Sequence, residues 1–322
     1  MHYTIRHTTR FAYETTISES VMEARMQPRS EGGQRLIRFG LSTTPASRVR
    51  MYQDHDGNVV HHFSIPGRHT RLTVTAEALV EFLPPPPLPT TLGSWEQVDE
   101  MTASGEYWEL LNPSPFARCT PLLGQFATEI GLGRGADPLG TIRELTAQMS
   151  DRFEYSPRST RVDSPIDEAL GSRRGVCQDF AHVMIALVRQ LGVPCRYVSG
   201  YLFHQSDGSV RSADDATHAW VEARLPEREW VGFDPTNNMV AGDGHIAVAV
   251  GRDYTDVPPT RGVFRGTSAV RSDLSVSVCV GTTHAGPAKD ARAFNSWLSR
   301  EADRPATDTE ATQQLQQLQQ QQ

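Results

Sequence analysis

The chain has 322 residues, enough for two domains or three small ones, and its 38% hydrophobic and 21% charged content reads as soluble and globular. A formal net charge of −7 argues against nucleic acid as a main partner, because phosphate binding wants a basic surface. No apolar run approaches a membrane span, and the start Met1-His2-Tyr3-Thr4-Ile5-Arg6-His7 lacks the apolar core of a signal peptide. The expectation is a cytoplasmic protein with no membrane partner. Cys119, Cys177, Cys195 and Cys279 are irregularly spaced, which is neither a disulfide framework nor a zinc site, so reduced thiols and no metal or cofactor are expected.

Residues 1–83 read as β-rich, a sandwich or half-sandwich. Short strand-like runs occur at 4–11, 35–41 and 72–76, and Asp56-Gly57 marks a hairpin between 48–52 and 59–65. His61 and His62 are neighbours in a strand, point to opposite faces and cannot clamp one ion together. Pro84-Pro85-Pro86-Pro87-Leu88-Pro89 then favours a stiff, extended linker. The connecting segment 84–135 shows a short helix near 106–111 and little else.

A catalytic segment is expected over 136–282. Helical patterns cover 139–153 and 177–191, with a second segment at 160–170 between them. Strands follow at 196–203, 246–250 and 274–280, the first closed by a turn at 205–208. Cys279 sits within the last strand's alternation as a small filler. From 283 to 322 the chain is polar and ends in a Gln-rich stretch expected to be disordered.

Chemistry concentrates around Gly175-Val176-Cys177-Gln178-Asp179-Phe180-Ala181-His182. Phe180, Ala181, Met184, Leu187, Val188 and Leu191 recur at helical spacing, with Gly192 as C-cap and Pro194 as stop. Cys177 therefore opens a buried helix, where free N–H groups and the helix dipole favour a thiolate. Downstream, 218–224 and 229–234 read as an antiparallel hairpin. With its turn centred at Pro226, His218 falls opposite Asp234, in imidazole-to-carboxylate reach. The register is open to a shift of one position. A Cys, a His and an Asp so placed make a nucleophile, a base and an orienter. The Cys177 backbone N–H would serve as an oxyanion donor, with Tyr155 and Gln178 as candidates to complete the hole and Asp179 as support.

These residues resemble a family. The block 175–182, then Gly192-Val193-Pro194-Cys195-Arg196-Tyr197-Val198-Ser199-Gly200-Tyr201, then Thr217-His218-Ala219-Trp220-Val221-Glu222, then Trp230-Val231-Gly232-Phe233-Asp234-Pro235-Thr236-Asn237 are similar to the core of the transglutaminase-like superfamily. The β-rich start and the segment 251–259 resemble a bacterial branch of it. The resemblance implies an α+β, papain-like core behind a β-rich domain. It implies Cys177 as nucleophile, His218 as base and acid, Asp234 as orienter, and acyl transfer through a thioester. The bacterial branch is regarded as more protease-like. The calcium sites of the animal crosslinking enzymes have no visible counterpart, nor has their tryptophan upstream of the Cys, since Trp108 lies far off.

The leading expectation is thus a cysteine hydrolase, a protease or amidase, that cleaves an amide bond in a peptide or protein. Transamidation of protein glutamine is the alternative within the same chemistry. A non-catalytic binding module on this core is the alternative from another class.

Overall fold

The alternation at the amino terminus builds strands far longer than the short runs suggest. The computed structural model describes residues 1–83, 86–203, 217–266 and 271–283. Pro84, Pro85, the expected turn at 205–208 and the Gln-rich end lie outside these residues. Strand β1 spans His2–Ala24, β2 Gln34–Thr44, β3 Arg50–Gln53 and β4 Val59–Phe82. The runs at 59–65 and 72–76 are therefore parts of one strand. The Asp56-Gly57 hairpin forms between β3 and β4, closed by Asp54, whose backbone pairs with Asn58 and whose carboxylate accepts from the Asp56 and Asn58 N–H groups.

Five helices follow, the second of them a single turn. They are α1 (Trp95–Ala103), α2 (Trp108–Leu111), α3 (Pro121–Glu129), α4 (Pro138–Arg152) and α5 (Ile166–Ser172), with β5 (Glu154–Tyr155) inserted before α5. The segment read as a connector is more structured than its composition suggests. Ser94 and Gln97 form a capping box on α1, and Thr120 caps α3 with Pro121 in its first turn. These short helices have only one or two buried apolar residues each, so periodicity alone does not reveal them.

Strand β6 (Arg174–Gly175) pairs in parallel with β5 and leads directly into α6 (Cys177–Gln190). Every residue of α6 from Asp179 to Arg189 is buried. Gly192 adopts φ 79° just past the helix end, as the C-cap reading requires. The strands β7 (Cys195–Leu202), β8 (Thr217–Ala223), β9 (Val231–Asp234), β10 (Met239–Val240) and β11 (His245–Gly251) form an antiparallel sheet in the order β10-β9-β8-β7-β11. Helix α6 packs on β7 and β8. This is a helix bearing a Cys at its start, laid on an antiparallel sheet.

The chain then returns to its beginning. Strands β12 (Thr260–Arg265) and β13 (Ser272–Thr283) both pair with β1, completing a six-stranded antiparallel sheet among the described residues. Strands β12 and β13, which fall almost wholly in the 136–282 segment read from sequence as catalytic, thus belong by hydrogen bonding to the first sheet. That sheet is single, not a sandwich. Its partner is the second part of the chain, with Tyr3 against Phe203 at 5.5 Å and His7 Nδ1 3.0 Å from the Tyr201 hydroxyl.

The junction also solves an edge problem. Strand β11 is the outer strand of its sheet, and such edges leave backbone groups unpaired. The side-chain amides of Gln34 and Asn58 stand in for a neighbouring strand. Gln34 donates to the Ala247 carbonyl and accepts from the Ala247 N–H, both at 2.9 Å. Asn58 does the same with Val250, both at 2.8 Å. Arg196 adds ion pairs to Glu222 (2.7 Å) and Glu31 (3.0 Å), one from each part.

Candidate active site

Cys177 is the first residue of α6 and is half-buried. Asp179, two residues on, fixes this helix start. Its Oδ2 accepts from the Val176 N–H at 2.8 Å and from the Thr160 hydroxyl at 2.5 Å. Burial pushes the Asp179 carboxyl up to about 6, against those two hydrogen bonds. Gly175 makes this cap possible, since a Cβ there would lie 2.8 Å from the Asp179 Cβ. Asp179 is thus a support for the Cys-bearing turn.

The other two support candidates flank the same turn. Tyr155 pairs with Gly175 across β5 and β6, which brings its strand alongside the entry to Cys177. Gln178 directs its side-chain amide to the Val162 carbonyl at 2.8 Å, holding the 160–165 loop against the helix start.

His218 enters from β8. The β8–β9 register pairs Val221 with Phe233 and Ala223 with Val231, two positions away from the expected one. A shift of two keeps every side chain on its face. His218 and Asp234 therefore still share a face, as diagonal neighbours, and His218 Nε2 lies 2.8 Å from Asp234 Oδ2. His218 Nδ1 is buried and has no aligned hydrogen-bond partner. It is the ring nitrogen left for the Cys177 thiol. Burial would lower the His218 proton affinity, but the charge and hydrogen bond of Asp234, then the interaction with Cys177, push it up to about 10.

Asp234 is fully buried, with 0% exposure, yet saturated with donors. Its Oδ2 accepts from His218 Nε2, from Asn237 Nδ2 at 2.7 Å and from His245 Nε2 at 3.0 Å. Its Oδ1 accepts from the backbone N–H groups of Thr236 (3.0 Å) and Asn237 (3.2 Å). Burial works against its charge; the charges and hydrogen bonds of His218 and then His245 overcome it and hold the carboxyl far below the usual carboxylate range. Asn237 and His245 carry no role in the sequence reading. Asn237 was visible as the end of the Asp-Pro-Thr-Asn run, whereas nothing local marks His245, which reaches Asp234 only because β11 and β9 belong to one sheet.

Trp220 packs beside both rings, 6.2 Å from His218 and 5.2 Å from His245 between ring centroids. Gly200 makes room for it, as a Cβ there would sit 2.6 Å from the indole. Tyr197 lies near the thiol from β7, its hydroxyl proton held firmly by burial first and by the Cys177 charge next. His182, in the second turn of α6, is a packing residue. It stacks on Phe116 at 5.2 Å and accepts from the Tyr254 N–H, which ties the 251–259 segment to α6. Burial lowers its proton affinity to about 4, so it stays neutral near pH 7.

Among the described residues, the donor atoms of His218, Asp234 and His245 lie within 4.8 Å of one another, close enough to invite a metal reading. Both imidazoles, however, direct Nε2 at the same carboxylate oxygen at hydrogen-bond distance. The group is arranged as hydrogen-bond partners. No helix among the described residues is long and apolar enough to cross a membrane.

The stretch that carries Cys177, His218 and Asp234 is matched by a known family, and so is the β-rich start of the chain. The model of the transglutaminase-like superfamily matches residues 125–235, and that of the bacterial transglutaminase-like N-terminal region matches residues 3–81. An uncharacterized protein of Mycobacterium leprae is 34% identical over 275 residues, 84% of this chain and 96% of that protein. The chain belongs to the transglutaminase-like superfamily. A stretch of 111 residues is 32% identical to a protein-glutamine gamma-glutamyltransferase of Pseudomonas aeruginosa, covering 29% of this chain and 15% of that enzyme. The solved structure of a candidate cysteine protease from Cytophaga hutchinsonii has the same fold, with a TM-score of 0.68 at 22% identity over 89% of this chain and 93% of that one. The superfamily match takes in α6 and strands β7, β8 and β9, and the N-terminal-region match takes in nearly all of β1 to β4.

Proposed function

We propose that this protein is a cysteine hydrolase that cleaves an amide bond in a peptide or protein through a thioester on Cys177. The observation that carries the reading is the buried His218–Asp234 pair at 2.8 Å beside Cys177 at the α6 start, with the imidazole's proton affinity pushed up by both neighbours. A raised imidazole next to a thiol is the condition for a thiolate–imidazolium pair.

The thiolate attacks the substrate carbonyl carbon, forming a C–S bond and placing negative charge on the carbonyl oxygen. Backbone N–H groups at the helix start, that of Cys177 first, stabilise this oxygen. His218 gives its proton to the leaving nitrogen as the C–N bond breaks, so an amine departs and a thioester remains. Neutral His218 then takes a proton from water, whose hydroxide attacks the thioester. The acid leaves, and the sulfur recovers the pair it had shared. Asp234 keeps the ring oriented throughout. Transamidation is the second reading, supported by the segment similar to the glutamyltransferase, and differs only in that an amine replaces water.

None of the four cysteines is in a disulfide, and this chemistry needs Cys177 reduced, so a reducing compartment such as the cytoplasm is part of the proposal. The test is mass spectrometry of a pool of Gln-containing peptides incubated with the full chain, with and without a primary amine. Hydrolysis products that vanish in Cys177→Ala and His218→Ala support the reading. Amine incorporation well above hydrolysis transfers it to transamidation. No product of either kind, with Cys177 alkylating like a free thiol, overturns both in favour of a binding module.

A further inference from the structure

We infer that His245 is a positioning residue: it holds the Asp234 carboxylate in place and shares its Oδ2 with His218, limiting how strongly Asp234 draws a proton to the His218 ring. This inference rests on the acyl-transfer reading of the site. It follows from the donor and acceptor roles of three side chains.

The tautomer of His245 is fixed by its surroundings. The Gly242 N–H donates to Nδ1 at 3.2 Å, so Nδ1 is the acceptor and Nε2 carries the proton. That proton is donated to Asp234 Oδ2 at 3.0 Å, on the same oxygen that receives His218 Nε2 at 2.8 Å. Both nitrogens of His245 are committed, which leaves it no part as a base. Its effect reaches the chemistry only through Asp234.

Two consequences follow. With Oδ2 taken by three donors and Oδ1 by two backbone N–H groups, the carboxylate has no free orientation left. And each extra donor stabilises the anion, so the oxygen offers less to the His218 proton than it would in a lone His–Asp pair. An imidazole that must release its proton to a leaving amine works best when the carboxylate behind it does not hold that proton too tightly. Among the described residues, the titratable groups facing His218 are Cys177 from α6, Asp234 from β9 and His245 from β11, with Tyr197 of β7 near the thiol. On its own strand and face, Glu222 lies beyond Trp220 and is held by Arg196.

The choice of variant matters, because His245 also lines a cavity of about 480 Å³ with Trp220, Trp230 and Gly242. Truncation to Ala would open Asp234 to that cavity and confuse hydration with hydrogen bonding. His245→Phe keeps the bulk and removes the donor. His245→Gln can donate through Nε2 to Asp234 and so restores it.

The experiment is an NMR titration of the His218 ring in the full chain, labelled at histidine, for wild type, His245→Phe and His245→Gln. The expected result is that His245→Phe raises the His218 midpoint by about 0.5 unit or more, some threefold in proton affinity, while His245→Gln stays close to wild type. An unchanged or lowered midpoint in His245→Phe, or the same rise in His245→Gln, overturns the inference. Should His245→Phe fail to fold, the wild-type spectrum decides: His245 must show the Nε2–H tautomer at neutral pH, and an Nδ1–H or doubly protonated ring there overturns it. None of these readouts needs a turned-over substrate, so the inference can fail while hydrolysis stands, or survive if no product is ever found.

Discussion

Asp234 lies diagonally across the β8–β9 pair from His218, with its Oδ2 2.8 Å from the imidazole Nε2. The two groups support each other's charge inside the protein, and the fold's stability depends on both. His218 is raised from 6.5 to about 10, so its contribution is fully present below about pH 6.5 and is lost as pH rises through about 10. Asp234 is depressed from 3.8, so its contribution is present above about pH 4 and is lost as pH falls toward its low folded value. Urea midpoints of wild type and Asp234→Asn should therefore differ most between about pH 4 and 6.5 and converge toward pH 10. Asp234→Ala, which strands two imidazoles without an acceptor, should cost about 3–5 kcal/mol. A pH-independent gap would mean that the pair is not ionised in the fold.

Asp179 makes the opposite prediction for a carboxylate. Its folded value, about 6, lies above 3.8, so the fold favours the protonated form and loses stability as pH rises through that interval. Asp179→Asn retains an oxygen for the Val176 N–H and the Thr160 hydroxyl while removing the buried charge. It should be neutral near pH 4 and stabilising by roughly 1–3 kcal/mol at pH 8. Thermal melts at the two pH values check this, and a destabilised variant at pH 8 would mean that the charge itself holds the helix start.

Gly175→Ala tests the mechanical side of the same turn. The added methyl meets the Asp179 Cβ at 2.8 Å and its Oδ2 at 2.9 Å, so the cap or the Cys177 turn must move. The expected cost is about 1–3 kcal/mol. Cys177 alkylation at pH 6 should slow by more than tenfold, because a displaced thiol moves away from the His218 charge that favours its thiolate. Unchanged alkylation with reduced stability would show that the turn yields elsewhere.

Asn58→Leu probes the junction between the two sheets. It leaves the N–H and carbonyl of Val250 without their side-chain partner at a buried edge. A loss on the order of 2–4 kcal/mol is expected in chemical denaturation. Gln34→Leu should act alike at Ala247. If neither changes stability, water satisfies the β11 edge and the amides are incidental.

Some of this was written locally. The helix from Cys177 is legible because its periodicity, Gly192 and Pro194 all act within a few residues of one another. His218 and Asp234 are legible as partners because a hairpin brings them together across a short connection. Even the misjudged register was harmless, since a slip of two positions preserves the face. Capping by Ser94 and Thr120 was equally local, but the helices they start bury too little to show a period.

What sequence alone determined is therefore the set of short-range choices: where α6 begins, which strands form a hairpin, which residue types could act together. Tertiary structure decided what depends on distant segments. His245 is only eleven residues past Asp234, but the strand it opens lies at the other edge of the sheet, so spacing does not reveal the contact, and Gln34 and Asn58 matter because that strand has an open edge. Strands β12 and β13 pair with β1 from more than two hundred residues away. Such pairings are set by which apolar faces and unpaired backbone groups remain once local structure has formed, and that remainder is a property of the whole fold.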